Sequence, residues 1–280
     1  MNVLITGGTG FLGRHLVRAL LERGAQRVCC YSRGEHTQAA MREEFNDDQR
    51  LRWLIGDVRD KDRLRRAMDG VQTVIHAAAL KRIEVGAYCP DEMIRTNVDG
   101  ASNVVDVAWE AGVESAVMVS TDKAYRPVSP YGLSKALAES LFLAANEMFG
   151  AHGPNYSVVR FGNIWGSTGS VVPRWRALIA AGAKVVPVTD PDCTRFFQRI
   201  DEAVDLILSA VHTRALHIPD WLPAYRLGDL ADAMGVEMDV QGLPAWEKKS
   251  EGLRDGLTSD AARRMTLAEL QAVCSQATYG

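Results

Sequence analysis

Residues 3–13 read Val3-Leu-Ile-Thr6-Gly-Gly-Thr-Gly-Phe-Leu-Gly13, an apolar run that breaks into a glycine-rich turn and leads directly into a stretch of helical period. Gly7, Gly10 and Gly13 permit a tight turn and a close backbone approach, so that the amides at the start of the helix can face a pyrophosphate. Thr9, Phe11 and Leu12 fill the intervening positions of the same candidate dinucleotide site. A glycine-rich turn without a ligand is the plainer reading of such a pattern alone. The strand before it and the helix after it argue for the cofactor.

Working outward, short apolar runs alternate with longer segments of helical period. Strands are expected at 3–6, 27–31, 51–55, 73–76, 115–120 and 156–160, and helices at 11–23, 38–46, 60–69, 91–112 and 130–149. Such interleaving builds βαβ units, and right-handed crossovers then make a doubly wound parallel α/β sheet of the Rossmann type. After residue 161 the rhythm loosens. Helices are expected at 173–181, 200–212, 227–234 and 259–276, with short strands near 185–188 and 215–218. The chain is therefore divided into a dinucleotide-binding region, 1–161, and a smaller substrate-binding region, 162–280, interleaved with the first and capping the carboxyl edge of the sheet.

Composition narrows the class. The 280 residues are 47% hydrophobic and 24% charged with a formal net charge of -3, which offers no global basic field for nucleic acid. No apolar run approaches the roughly eighteen residues of a bilayer helix, and the first strand leaves no room for a secretion signal. A soluble cytoplasmic chain with no membrane partner is expected. The five cysteines lack paired spacing and the six histidines lack a metal-ligand spacing, so reduced thiols and no metal are expected.

Cofactor preference turns on the end of the second strand. An acidic residue there suits the ribose 2′-hydroxyl of NAD, whereas Ser32 and Arg33 suit the 2′-phosphate of NADP, with Glu35 nearby as the counter-argument. NADP is expected over NAD. Asp57 and Val58 follow the third strand, where adenine would lie, and Ala77, Ala78 and Ala79 follow the fourth as a wall of small residues. A turn cap for Asp57 and simple packing for the alanines are the alternatives. Lys81 lies beyond them, over the same sheet edge, facing cofactor or substrate unless it is a solvated loop lysine.

The chemistry concentrates in Ser120-Thr-Asp-Lys-Ala-Tyr-Arg-Pro-Val-Ser-Pro-Tyr-Gly-Leu-Ser-Lys135. Ser129 and Pro130 form a helix start, N-cap and first position, which puts Tyr131 and Lys135 on one helical face. A phenol of pKa about 10 needs a neighbouring ammonium to take a hydroxyl proton in the useful range, the requirement for alcohol oxidation by a nicotinamide. Asp122 and Lys123 add an acid and a base. Taken alone that pair would read as a solvated surface turn.

Together with Ile55-Gly-Asp-Val-Arg-Asp60, His76-Ala-Ala-Ala-Leu-Lys81, Thr96-Asn-Val98, Ser120-Thr-Asp-Lys-Ala124, Val159-Arg-Phe-Gly-Asn163, Gly166-Ser-Thr-Gly-Ser-Val-Val-Pro173 and Thr194-Arg-Phe196, these residues make most of the chain resemble an extended short-chain dehydrogenase/reductase. Within that group it looks like the inverting UDP-N-acetylglucosamine 4,6-dehydratases of bacterial glycan biosynthesis. The resemblance implies oxidation at carbon 4 by Tyr131, Lys135 and NADP, with Thr121 as helper. It further implies removal of the carbon 5 proton by Lys123, loss of the carbon 6 hydroxyl as water assisted by Asp122, and return of the hydride to carbon 6. Lys123 can serve as the base if burial and neighbouring cations lower its pKa from about 10.4. Retaining sugar dehydratases resemble this scheme with glutamate at the Lys123 position, so the lysine points to inversion at carbon 5. Tyr131 is a candidate for the reprotonating group.

The resemblance also assigns the nucleotide-sugar contacts to Asn163, Ser167, Val172, Pro173, Arg195 and Glu247, with backbone groups near Val172 reading uracil and Arg195 meeting phosphate. It gives Asn97 an architectural hydrogen bond toward the catalytic strand and implies a homo-oligomer. One segment departs from the pattern. Where the family has an arginine for the diphosphate, this chain reads Leu243-Pro-Ala-Trp-Glu-Lys-Lys-Ser-Glu251, leaving Arg195, Lys248 or Lys249 to compensate. Two other readings stay open: an epimerase or reductase of nucleotide sugars on the same fold, and a nonenzymatic NADP-responsive binding protein.

Overall fold

The computed structural model describes residues 1–276. Its centre is a seven-stranded sheet built from β1 (Asn2–Thr6), β2 (Arg27–Ser32), β3 (Leu51–Ile55), β4 (Thr73–His76), β5 (Ser115–Val119), β6 (Asn155–Val159) and β9 (Leu216–His217), in the order β3-β2-β1-β4-β5-β6-β9. Every neighbouring pair is parallel. Strand order reverses beside β1, between β1 and β4, so the crevice at the carboxyl ends opens there.

Strand periodicity explains the two cores. In β1, Val3 and Ile5 point to one face and Leu4 to the other. Val3 and Ile5 meet Leu16, Val17 and Leu20 of α1 (Phe11–Glu22), whereas Leu4 meets Leu64 of α3 (Lys61–Ala67) and the helices beyond it. Between α1 and α3 lies α2 (Glu35–Glu44), which starts three residues earlier than the hydrophobic pattern alone suggests. The β4–β5 crossover differs more. Instead of one helix over 91–112 it forms α4 (Ile83–Tyr88), α5 (Pro90–Met93), a π-helical turn over Ile94–Asp99 and α6 (Gly100–Glu110). The wider turn carries Asn97, whose side chain accepts from Leu80 N at 2.8 Å and donates to Leu80 O at 2.9 Å and Ser134 Oγ at 2.9 Å. A side-chain clamp, invisible to periodicity, accounts for the interruption.

α7 (Pro130–Phe149) has the expected bounds, with Ser129 Oγ accepting from Gly132 N at 3.1 Å and Pro130 in the first turn. The remaining chain supplies α8 (Val171–Ala180), β7 (Val185–Val188), β8 (Thr194–Phe196), α9 (Ile200–Ser209), β10 (Ala224–Arg226), α10 (Leu227–Met234), β11 (Glu237–Val240), the hairpin β12 (Gly252–Arg254) and β13 (Leu257–Thr258), and α11 (Leu267–Ser275). α9 and β9 return to the central sheet: Ile200, Ala203, Val204 and Ile207 pack on the α1 side, and β9 pairs with β6. Most of the rest gathers around Trp175, Val186, Val188, Leu230 and Leu270 as a core of its own above the crevice, while Phe196, Leu222, Ala224 and Leu253 form a smaller cluster. The expected helix over 259–276 is helical only from Leu267. Before it, Ala224 N donates to Arg263 O and Met265 N to Ala224 O, which ties that stretch to β10 in extended form. Among the described residues no helix is long and apolar enough to cross a membrane.

Candidate active site

A cleft of about 1190 Å³ runs across the carboxyl ends of the strands and under the smaller core. Its floor begins at the glycine turn. Gly7 has a positive φ of 71°, and a Cβ there would sit 2.9 Å from Ala78 N; a Cβ on Gly13 would sit 2.5 Å from the carbonyl oxygens of Gly7 and Gly8. Only glycine fits this cradle. The first amides of α1 have no carbonyl one turn earlier within the helix, so they are disposed toward an anion. Thr9, Gly10, Phe11 and Leu12 line the same end.

Around the cradle, Ser32, Arg33, Asp57, Val58, Ala77, Ala78, Ala79 and Lys81 all line the cleft. Ser32 Oγ accepts from Gln38 Nε2 at 3.0 Å. Arg33 is exposed and lies 3.8 Å from Asp57 Oδ2. Asp57 does both things its position allows: it reaches the cleft, and it caps a turn by accepting from Arg59 N at 3.0 Å and pairing with the Arg59 guanidinium at 2.7 Å. Burial acts to raise its pKa, but the hydrogen bonds from Arg59 win and hold the carboxyl below its ordinary value.

The segment expected to carry the chemistry follows β5. Ser120 N donates to Val159 O at 2.7 Å and Asp122 N to Phe161 O at 2.9 Å, so β6 carries the turn forward beyond β5. A 3₁₀ turn over Asp122–Ala124 then folds back onto α7. Gly132 permits the contact, since a Cβ there would lie 2.4 Å from Lys123 O. Thr121, Asp122, Lys123, Tyr131 and Lys135 thereby share one end of the cleft.

Their electrostatics differ from the sequence-based expectation in two respects. Lys135 is buried and donates to Val119 O at 2.7 Å; burial lowers its pKa to about 8. Tyr131 is pushed up to about 12 by burial, and the leading opposing charge is Lys123 rather than Lys135, helped by a hydrogen bond from Thr121. The ammonium that most opposes this rise is thus the one beside Asp122. Second, Lys123 is not primed as a base. Burial alone would lower its pKa, but it stands between two carboxylates, Asp122 Oδ1 at 3.1 Å and Glu251 Oε1 at 3.3 Å, which drive it above its ordinary value. Asp122 itself is buried, and burial raises its pKa against the pull of Lys123.

Farther along, Asn163, Ser167, Arg195 and Glu247 line the cleft, whereas Val172 and Pro173 do not. Val172 is turned into the smaller core, and Val171, Arg174 and Trp175 occupy the wall instead, because α8 starts at Val171 and its period of 3.6 turns Val172 inward. Asn163 Oδ1 is buried without a partner among the described residues. Arg195 is buried and paired with Glu247 Oε1 at 2.5 Å, so the two residues form one unit. Of the possible substitutes at the altered segment, Lys249 pairs with Asp190 and Asp192, and Lys248 pairs with Glu251 Oε2 at 2.7 Å; neither lines the cleft. Glu251 and Arg174 escaped the sequence reading. No local spacing links Glu251 to Lys123, and Arg174 is an isolated arginine in a helical stretch.

A doubly wound parallel sheet, a glycine cradle after its first strand and a Tyr-x-x-x-Lys helix after its fifth define an extended short-chain dehydrogenase/reductase. The chain belongs to the family described as polysaccharide biosynthesis protein, whose model matches residues 3–259. It is 43% identical over 256 residues to a UDP-N-acetylglucosamine 4,6-dehydratase (inverting) of Campylobacter jejuni, covering 89% of this chain and 76% of that protein. A UDP-glucose 4-epimerase of Rickettsia conorii is 40% identical over 213 residues, 75% of this chain and 62% of that one. Among solved structures, Pen from Bacillus thuringiensis superposes with a TM-score of 0.92 at 30% identity, covering 97% of this chain and 96% of that one. The dTDP-glucose 4,6-dehydratase DesIV from Streptomyces venezuelae, solved with NAD and TYD bound, shares the fold at a TM-score of 0.82 and 23% identity, covering 98% of this chain and 96% of that one.

Proposed function

We propose that this protein is an NADP-dependent, inverting 4,6-dehydratase of a nucleotide-activated N-acetylhexosamine, most directly UDP-N-acetylglucosamine. The carrying observation is that Asp122 and Lys123 face the same cleft as Tyr131. Oxidation uses only the tyrosine and its cation, whereas elimination needs a further acid and base. The 43% identity to the Campylobacter dehydratase supports the same choice.

The glycine cradle and the adjoining Ser32 and Arg33 fit a dinucleotide carrying a 2′-phosphate. A bound nicotinamide supplies a reversible hydride acceptor. Tyr131, oriented by Thr121 and stabilised by Lys123, takes the proton of the carbon 4 hydroxyl. The resulting ketone acidifies carbon 5. Lys123, once it has released a proton to water, accepts the one on carbon 5, and Asp122, in its protonated form, donates to the carbon 6 oxygen, which leaves as water; carbon 6 then takes up the hydride removed from carbon 4. Reprotonation of carbon 5 from the opposite face falls to Tyr131. Asn163, Ser167 and the Arg195–Glu247 pair hold the nucleotide end of the substrate. Residues 162–280, apart from α9 and β9, act as the substrate-binding cap, and the enzyme works as a cytoplasmic homo-oligomer.

Incubation with UDP-N-acetylglucosamine should yield a product lighter by one water with no net reduction of cofactor, and in deuterated water a label at carbon 5. An unchanged sugar mass sinks the reading; an unlabelled carbon 5 sinks the inversion. One observation favours a second reading, a nucleotide-sugar epimerase or reductase: Lys123 held protonated between Asp122 and Glu251 suits a permanent ammonium that serves Tyr131 only. In that case the product keeps the substrate's oxygen count.

A further inference from the structure

We propose that Glu251 is a positioning residue that sets the pH at which Lys123 can give up its proton, with Lys248 as its counterweight. The inference rests on the dehydratase reading, in which Lys123 must act as a base.

Glu251 reaches the catalytic turn from the carboxyl-terminal segment. Its Oε1 lies 3.3 Å from Lys123 Nζ and its Oε2 lies 2.7 Å from Lys248 Nζ. Its backbone is fastened at both ends of the residue: Glu251 N donates to Ser259 Oγ at 2.8 Å and Ser259 N donates to Glu251 O at 2.8 Å. Ser259 Oγ in turn lies 2.7 Å from Thr194 Oγ1, next to Arg195, so the backbone of Glu251 is tied to β8. Lys248 is fastened as well, donating to Tyr125 O at 3.0 Å.

Glu251 does not line the substrate cleft. It borders a separate cavity of about 10 Å³ behind Lys123, shared with Ser129, Trp246 and Lys248. A carboxylate that touches the base but not the cleft can change the base's charge without changing substrate contacts. The charged and titratable groups facing Lys123 are Asp122, Glu251, Arg195 and Tyr131; those facing Glu251 are Lys123, Arg195, Lys248 and Asp122. Two of these move in opposite directions when neutralised. Removing the Glu251 charge frees the Lys123 proton; removing the Lys248 charge leaves Glu251 to bind that proton more firmly.

The test compares Glu251→Gln and Lys248→Met with the parent by kcat and KM against pH, with dinucleotide binding as the check on folding. The acidic limb of kcat should move down by about one pH unit in Glu251→Gln and up by a smaller step in Lys248→Met, with KM within about twofold. Limbs that stay in place, or that move the same way in both variants, overturn the proposal, as does a KM effect larger than the kcat effect. Lysine-labelled protein read by NMR separates this from the parent reading. If the Lys123 titration shifts in opposite directions but the parent protein releases no water, the coupling stands and the dehydratase reading falls.

Discussion

The glycine cradle and the catalytic turn are both at the carboxyl edge of one sheet, yet they are assembled in different ways. The cradle is made by neighbours in sequence: Gly7, Gly10 and Gly13 meet within one turn, and the distant groups they meet are backbone, Tyr31 O accepting from Gly7 N and the chain at Ala77 and Ala78. The catalytic turn is local only in its reactive atoms. The charge on Lys123 depends on Glu251, its backbone hangs from β6, and the loop opposite is fixed by Asn97 to Ser134 of α7. A binding site built from backbone can be local, because every residue carries the same amide. A proton-transfer site must gather unlike side chains, and these come from wherever the fold brings them.

The largest expected effect tests the reactive atoms. Tyr131→Phe removes the only group in the proposal that can take the carbon 4 proton, and water loss from the substrate should fall by about a thousandfold, measured by single-turnover mass analysis with dinucleotide binding intact. Lys123→Ala should come next, with a fall of roughly a hundredfold or more in water loss. A rate within a few-fold of the parent would transfer the protein to the epimerase or reductase reading. On the cradle side, Gly13→Val drives a side chain into the Gly7 and Gly8 carbonyls. Dinucleotide binding should weaken by about a hundredfold and stability should fall by about 1–3 kcal/mol, read by fluorescence titration and urea unfolding. Arg33→Ala should cost about tenfold in the preference for NADP over NAD, since one exposed guanidinium is all that it removes.

The smallest effect concerns stability against pH. Lys135 has a folded-state pKa of about 8, below its ordinary value of 10.5. The folded state therefore binds fewer protons than the unfolded chain between those values, and stability should rise as pH climbs from about 8 toward 10. Below pH 8 the buried ammonium is a fixed cost of a few kcal/mol at most. Lys135→Met should flatten that rise in urea unfolding at several pH values; an unchanged slope would assign it to another group.

How much was legible in advance follows the same division. The six strands of the first 160 residues and α7 stand where alternation and capping put them, because period and N-cap are properties of neighbouring residues. The helix expected over 91–112 broke because Asn97 answers to Leu80 and Ser134, and the one expected from 259 began only at Leu267 because β10 holds the preceding chain. The phase of α8 turns the Val172 side chain into the smaller core, which similarity of motif did not show. Arg195 reached the cleft as expected, though bound to Glu247.

By itself the sequence determined the sheet and the cradle and singled out the proposed reactive groups, since each is written in spacings of a few residues. Only the tertiary structure decided the charge those groups carry. Lys123 beside Asp122 reads as an acid and a base in one dimension. In three it is an ammonium between two carboxylates, one of them Glu251 from the other end of the chain. Proton affinity is set by the field of every charge within a few ångströms and by the loss of water around it, and neither quantity is a property of sequence neighbours.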